Sequence, residues 1–181
     1  MYNFMFFFNS ALLGVGLAMD AFSVSLANGL NEPKMRKSKI GLIALTFAFF
    51  QAAMPLIGFV CVHTVVEYFK SFEKFIPWIA LILLCYIGGS MLVDGIKNKD
   101  GDDEDIKKLT FVTLMVQGVA TSIDALSVGF TIANYNFVMA LVSALVIALV
   151  TFVICVAGLL IGKKFGTKLS NKATIFGGII L

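Results

Sequence analysis

Two aspartates, Asp20 and Asp124, lie deep inside long apolar stretches of this 181-residue chain. Each is about fifteen residues past the start of its predicted helix, and neither helix contains a Lys, Arg or His. An ionised Asp at the centre of a bilayer costs roughly 2.5–3.5 kcal/mol. We therefore expect both carboxylates to be neutralised, either by protonation or by a bound cation. One divalent cation would neutralise both at once.

Other oxygen-bearing side chains accompany the two aspartates. A serine follows each of them by three residues, on roughly the same helix face. Lone polar side chains also interrupt the second and fifth apolar segments. Carboxylate, hydroxyl and amide oxygens suit hard cations such as Mg²⁺, Ca²⁺ and Mn²⁺. The predicted metal ligands are Asp20, Asp124, Gln51, Ser23, Ser127 and Thr151. For the two serines, a hydrogen bond back to their own helix is an equal alternative.

The composition places most of the chain in lipid. Hydrophobic residues make up 59% of the sequence and charged residues 14%, whereas a soluble domain carries about 25% charge. Residues 125–162 contain no charge over 38 positions, nearly enough for two spanning helices. This pattern excludes an ordinary soluble domain, a disordered chain and a nucleic-acid binder. The three cysteines lie in apolar runs without metal spacing, so we expect neither a disulfide nor a zinc site.

The hydropathy pattern predicts an all-α integral membrane protein with six transmembrane helices. The polar breaks place these helices at 4–29, 40–63, 75–96, 109–133, 136–161 and 173–181. The sixth is too short to cross a hydrocarbon core of roughly 30 Å. Either it is naturally short or the sequence ends early. The apolar N-terminus lacks a basic region and a clear cleavage site, so we interpret it as part of the first helix.

The basic residues predict how the helices are oriented. Lys and Arg concentrate in the first, third and fifth loops, which hold twelve of them, whereas the second and fourth hold two. The positive-inside rule then places the odd loops in the cytoplasm and the N-terminus outside. The acidic stretch at 102–105 lies in the third loop and contributes little to that rule; a solvated linker is favoured over a regulatory metal-binding segment.

The two halves of the sequence resemble each other. A shift of 104 residues aligns 14–24 with 118–128, where six of eleven positions are identical, including both aspartates. We therefore predict two repeats, at 1–96 and 109–181, joined by a charged linker at 97–108. Because each repeat has three helices, the second enters the membrane from the opposite side. Such inverted repeats are typical of secondary transporters, which bind substrate near the midplane.

Small residues recur every four positions beside each aspartate. The first stripe is Ala21, Ser25 and Gly29, and the second is Ala125, Gly129 and Ala133. Stripes of this kind let transmembrane helices approach closely. We expect them to pack the first helix near the fourth and so to bring the two aspartates together.

Four sequence segments resemble the manganese efflux pump family MntP of the LysE transporter superfamily. They are GLAMDAFSVSLANG, QAAMPLIG, IGGSMLVDG and ATSIDALSVG, within a similarity that runs from about residue 10 to the end. The resemblance implies a six-helix exporter of Mn²⁺ in a bacterial inner membrane. It places the family's intramembrane aspartates at Asp20 and Asp124. Its polar position before the Pro-Leu-Ile-Gly stretch falls on Gln51, which some members fill with an acid.

Several functional alternatives remain open at this point. The wider superfamily permits export of an organic solute such as an amino acid, whose carboxylate would lack an intramembrane basic partner. Paired aspartates also occur in intramembrane aspartyl proteases, but the usual Gly-Asp arrangement is missing here. We expect a transporter and not an enzyme, with Mn²⁺ as substrate and no cofactor. No phosphate-binding G-x-x-x-x-G-K-[ST] motif is present, so we predict coupling to an ion gradient, most simply protons. A homo-oligomer is one option for its assembly.

Overall fold

The computed structural model describes residues 3–64 and 109–169, with positions 78, 81–82, 85–86, 88–89 and 92–93 between them. Residues 3–64 and 109–169 form helices and no strand. The helices are α1 (Phe4–Asn31), α2 (Lys37–Thr64), α3 (Phe111–Ser122), α4 (Ala125–Thr131) and α5 (Phe137–Leu169). The all-α prediction is therefore confirmed for this part of the chain.

Three of these helices are long and apolar enough to cross a membrane. These candidate spans are Phe4–Asn31, Lys37–Val62 and Phe137–Gly166. They match the first, second and fifth helices predicted from hydropathy. All described positions between 78 and 93 are helical, as predicted for the third transmembrane helix at 75–96. The linker at 97–108 and the sixth helix at 173–181 lie outside the described residues.

The fourth predicted helix is not continuous. A bend and a turn at Ile123 and Asp124 separate α3 from α4, so the prediction of one helix over 109–133 is wrong. At 12 residues α3 is only about 18 Å long. From Phe111 to Thr131 the broken segment covers 21 residues, which at helical rise is about 30 Å and matches a hydrocarbon core.

The fifth helix is longer than hydropathy predicts. We expected it to end at residue 161, before the sequence GKKFGTKL, but α5 continues to Leu169. The glycines there serve packing and do not stop the helix: a Cβ at Gly166 would lie 2.6 Å from the Leu30 carbonyl oxygen. Lys163 fixes the extension further, because its Nζ donates to the Met35 carbonyl oxygen over 2.8 Å.

Short polar contacts set the ends of α1. The Asn3 side chain accepts a hydrogen bond from the Phe6 N–H over 3.1 Å and caps the helix. At the other end the Glu32 N–H donates to the Asn28 carbonyl oxygen. Glu32 also pairs with Lys39 at 2.5 Å, across the turn that leads into α2. This turn makes α1 and α2 an antiparallel hairpin.

Close contacts define the directions of the remaining helices. Moving along α1, the partners on α5 advance in the same order: Ser10 meets Ser143, Gly14 meets Ile147, Ser25 meets Gly158 and Gly29 meets Gly162. Helices α1 and α5 are therefore parallel. Likewise Gly118 contacts Phe50 and Gly129 contacts Gly58, so α3 and α4 run parallel to α2.

These contacts correct the expected packing of the small-residue stripes. The α1 stripe packs on α5, where a Cβ at Gly29 would lie 2.5 Å from the Leu159 carbonyl oxygen. Gly129, from the second stripe, packs on Gly58 of α2. The prediction that the stripes join the first helix to the fourth is therefore wrong. A small-residue stripe on one helix does not identify the helix that packs on it, because close packing also requires small residues on the facing helix.

Two apolar clusters fill the described part of the bundle. The first cluster consists of Ala21, Val24, Met35, Ile40, Ile43, Ala44, Phe47, Leu114, Cys155 and Leu159. The second cluster consists of Leu17, Phe59, Ala125, Val128, Ile132, Ala140 and Ile147. The first lies toward the turn that joins α1 to α2, and the second lies toward the opposite end. The region between them is where polar side chains collect.

Candidate metal-binding site

Asp20 and Asp124 lie at the same level of the bundle. The side chains of Asn28 and Gln117 bond to each other and so align α1 with α3. From that contact α1 runs back eight residues to Asp20, and α3 runs forward seven residues to Asp124. At helical rise both distances are about 10–12 Å in the same direction.

Asp124 occupies the break between α3 and α4. Its Oδ1 accepts a hydrogen bond from the Ala125 N–H over 2.9 Å. Its carbonyl oxygen accepts from both the N–H and the hydroxyl of Ser127, at 3.0 and 2.6 Å. In membranes an interrupted helix is tolerated where the freed backbone groups find partners or line a cavity. Transporter binding sites frequently use such broken helices.

The two serines of the predicted ligand set bond within their own segments. The Ser23 hydroxyl donates to the Met19 carbonyl oxygen over 3.1 Å, and the Ser127 hydroxyl donates to Asp124 as described. The hydroxyls of Ser23 and Ser127 thus both donate their hydrogen to a backbone carbonyl of their own segment, which is the alternative considered from the sequence. A donated hydrogen leaves oxygen lone pairs that can accept or ligate, so the ligand role of the serines stays a prediction.

Gln51 and Thr151 are both fully buried, with 0% of each side chain exposed. Gln51 Nε2 donates to the Leu17 carbonyl oxygen over 2.9 Å. The Gln51 Oε1 and the Thr151 Oγ1 atoms have no hydrogen-bond partner. The 133-residue offset between bonded serines on α1 and α5 places Thr151 level with Ala18, beside the Leu17 carbonyl. Two unpartnered oxygens therefore lie near one level of the bundle, although such groups normally find partners.

The polar side chains lie between the two apolar clusters in each helix. On α1, Asp20 lies between Leu17 of the second cluster and Ala21 of the first. On α5, Thr151 lies between Ile147 and Cys155 in the same way. On α2, Gln51 lies between Phe47 of the first cluster and Phe59 of the second, and Asp124 lies between Leu114 of α3 and Ala125 of α4. These four residues lie at neighbouring levels along the bundle, called here the polar layer; Gln51 and Thr151 are buried, Asp124 is partly buried and the Asp20 side chain is exposed.

Sequence analysis did not single out several buried polar residues near this layer. Asn28 and Gln117 are 4% and 2% exposed, and Thr121 donates to the Gln117 carbonyl oxygen over 2.9 Å. Ser25 is fully buried, and its Oγ has no hydrogen-bond partner. The sequence does mark these four residues, because each is a polar side chain within an apolar segment. Within the described residues, no three His, Cys, Asp or Glu side chains cluster.

Comparison with known proteins adds independent information. A family model described as "Putative manganese efflux pump" matches residues 34–181. A relative with that name from Ruminiclostridium cellulolyticum is 43% identical over 170 residues, covering 94% of this chain and 88% of its own. Another, from Methanosphaera stadtmanae, is 40% identical and covers 94% and 91%. A third, from Clostridium botulinum, is 42% identical over 179 residues and covers 94% and 87%. No solved structure matches the chain.

The chain belongs to the manganese efflux pump family. The resemblance inferred from the sequence segments is thereby confirmed. The names of these manganese efflux pump relatives describe transporters and not enzymes, which agrees with the prediction from sequence. Together with the apolar helices, this family membership makes the chain a membrane transport protein.

Proposed function

We propose that this chain exports a divalent cation, Mn²⁺, across the bacterial inner membrane, and that Asp20 and Asp124 bind it. The observation that carries the proposal is the polar layer. Two carboxylates share one level with the unpartnered oxygens of Gln51 and Thr151, and apolar clusters lie on both sides. A buried oxygen without a hydrogen-bond partner is costly, and a transported cation would supply the missing partner.

The ligand chemistry fits a hard cation. Two carboxylates balance the charge of one divalent ion, so the occupied site is neutral inside the membrane. The bond from Gln51 Nε2 to Leu17 fixes the amide, so that Oε1 is the atom left for a cation. The hydroxyl oxygens of Ser23, Ser127 and Thr151 would complete an all-oxygen shell. Mn²⁺ accepts such ligands.

We take export as the direction of transport from the relatives named as efflux pumps, and the basic residues give the orientation. The turn between α1 and α2 carries Lys34 and Arg36, and the first turn of α2 carries Lys37 and Lys39; by the positive-inside rule this end lies in the cytoplasm and the N-terminus lies outside. A divalent cation leaving the cell moves against an inside-negative potential, at about 4.6 kcal/mol per 100 mV for two charges. Export therefore requires a driving ion. We infer exchange of one divalent cation for two protons carried inward by the two aspartates.

An inverted repeat of three helices accounts for the way that α1 packs on α5 and α2 packs on α4. A shift of 104 residues pairs Ser25 with Gly129, and in the next helix, after a shorter loop, a shift of 100 residues pairs Gly58 with Gly158; together they relate two observed contacts. The contact of Ser25 with Gly158 in one helix pair corresponds to that of Gly129 with Gly58 in the other. The same alignment relates Asp20 to Asp124, so the proposed site lies where the two repeats meet.

Purified protein in sealed vesicles that contain a pH dye tests the proposal. We expect Mn²⁺ flux to be accompanied by protons moving the opposite way, and an imposed pH gradient to drive Mn²⁺ uphill. Vesicles with the Asp20→Asn variant serve as the control for leak. Mn²⁺ movement without proton movement would contradict the exchange. Absence of Mn²⁺ movement in either direction, by protein shown to be folded, would contradict the proposed substrate.

A further inference from the structure

A pair of buried amides connects α1 to α3. Asn28 Nδ2 donates to Gln117 Oε1 over 2.8 Å, and Gln117 Nε2 donates back to Asn28 Oδ1 over 3.3 Å. Both side chains are at least nine-tenths buried. The contact joins residues 89 positions apart, one from each proposed repeat. Neither group titrates, so any role of this amide pair is independent of pH.

The amide pair joins two tightly packed helix units. In the first unit α1 packs on α5, and a Cβ at Gly29 would lie 3.1 Å from the Gly162 Cα. In the second unit α2 packs on both α4 and α3: a Cβ at Gly58 would lie 3.2 Å from the Gly129 Cα, and a Cβ at Gly118 of α3 would overlap the Phe50 ring. Backbones this close leave little room for relative motion within a unit. Motion that opens the site must therefore occur between the units, across contacts such as the amide pair.

The amide pair lies on one side of the aspartates. It is about 10–12 Å from their level, toward the turn between α1 and α2. Leu114 of the first cluster is one turn before Gln117, and Val24 of that cluster is one turn before Asn28. In the proposed orientation this end faces the cytoplasm. The amide pair and the first cluster together close the cytoplasmic side of the site.

The repeat has a different chemistry at the equivalent positions on the other side. The 104-residue shift relates Asn28 to Ile132 and Gln117 to Leu13. Ile132 belongs to the second cluster, and Leu13 packs against it. One end of the site is thus closed by hydrogen-bonded amides and the other by aliphatic side chains. On opening, separated amides exchange their mutual bonds for bonds to water, whereas separated aliphatic side chains are exposed to water unfavourably.

We propose that Asn28 and Gln117 form the cytoplasmic gate of the transporter, opening when the helix units separate to admit the cation. This inference rests on the proposed function. The gate residues do not ligate the metal in the site; they control access to it. Water can replace the mutual hydrogen bonds of the separated amides, so the amide pair itself costs less to open than the equivalent aliphatic positions, Ile132 and Leu13, at the outer end.

A cross-linking experiment tests the gate. Cysteines replace Asn28 and Gln117 in a background where Cys61, Cys85 and Cys155 are changed to Ser or Ala, and a short methanethiosulfonate reagent bridges them. The control pair is Ser10→Cys with Ser143→Cys. These two serines are also buried and hydrogen-bonded, at 3.0 Å, but they lie within one helix unit. We expect the bridge at 28 and 117 to lower Mn²⁺ flux at least fivefold, reversibly with reductant, and the control bridge to leave it unchanged.

The outcomes separate the gate from the substrate. If the cysteine-free protein moves no Mn²⁺ before any bridge is formed, the proposed function is contradicted. If the bridged 28/117 protein and the bridged 10/143 protein show equal Mn²⁺ flux, only the proposed gate is contradicted. Side-chain substitutions give a second test, with protein level measured in parallel. The double variant Asn28→Leu with Gln117→Leu copies the aliphatic end, and we expect slower Mn²⁺ entry from the cytoplasmic side. Exchanging the two amides, Asn28→Gln with Gln117→Asn, restores the pair and should rescue entry; failure to rescue in folded protein would contradict the hydrogen-bonded gate.

Discussion

Asp20 and Asp124 carry the charge that the proposed site needs. We predict that Asp20→Asn or Asp124→Asn leaves the protein in the membrane but abolishes Mn²⁺ resistance in cells. Losing a ligating carboxylate should weaken binding by more than the roughly 10–100-fold that loss of an outer-shell partner costs. Growth at graded Mn²⁺ concentrations, together with immunoblots for protein level, measures this.

A matched acid provides the control for that prediction. Glu32 lies in the turn after α1 and pairs with Lys39, away from the polar layer. Glu32→Gln should therefore retain resistance. Full resistance of both aspartate variants at normal protein level would refute the site.

Removal of the Thr151 hydroxyl tests whether this group serves the fold or binds the cation. Its oxygen is buried without a partner, so Thr151→Val keeps the shape and removes an unsatisfied group. We predict that the free energy of unfolding rises by about 1 kcal/mol, while Mn²⁺ affinity falls. Thermal unfolding in detergent and Mn²⁺ titration of the same samples measure the two effects. A variant that becomes less stable and binds Mn²⁺ normally would show that the hydroxyl serves the fold.

The role of Asp20 and Asp124 as metal ligands stays a prediction. Sequence analysis expected the small-residue stripes to bring the two aspartates together, whereas those stripes pack on other helices. It also identified Gln51 and Thr151 as lone polar groups in apolar helices. It could not predict the anchor of Gln51, since the acceptor is the backbone carbonyl of Leu17, which carries no sequence signal.

The glycine contacts between helices give a prediction at the scale of elements. A Cβ at Gly129 would overlap the Gly58 backbone, and backbone atoms cannot move aside as a flexible side chain does. We predict that Gly129→Ala lowers the free energy of unfolding by about 1–3 kcal/mol. Gly16 is a suitable control, because a Cβ there meets nothing within 4 Å. Gly16→Ala should stabilise slightly, by about 0.5–1 kcal/mol, and equal thermal stability of the two variants would contradict the packing.

Hydropathy predicted the positions of the helices well, but it did not predict where helices are interrupted or which helices pack together. It located α1, α2 and α5 because long uncharged stretches have no other stable form in lipid. It missed the break at Asp124, since local hydrogen bonds from Ala125 and Ser127 compensate the interruption. It also assigned the wrong partners to the small-residue stripes, because partner choice depends on the register of two helices at once.

The orientation of the whole molecule can be tested with exposed positions. Lys34 lies in the turn between α1 and α2, and Asn134 lies between α4 and α5; both side chains are exposed. In a cysteine-free background, we predict that Asn134→Cys reacts with an impermeant thiol reagent in intact cells. Lys34→Cys should react only after the cells are opened. The reverse pattern would contradict the proposed topology.

The pairing of α1 with α5 has a consequence for how the protein is made. Ser10 and its partner Ser143 are 133 residues apart, so α1 leaves the ribosome long before the helix that covers its glycine face. At about 5–20 residues per second, the delay is roughly 7–27 s. The buried amide of Asn28 waits for 89 residues, until Gln117 is made. We therefore expect α1 to need shelter from the bilayer core until the second half of the chain arrives.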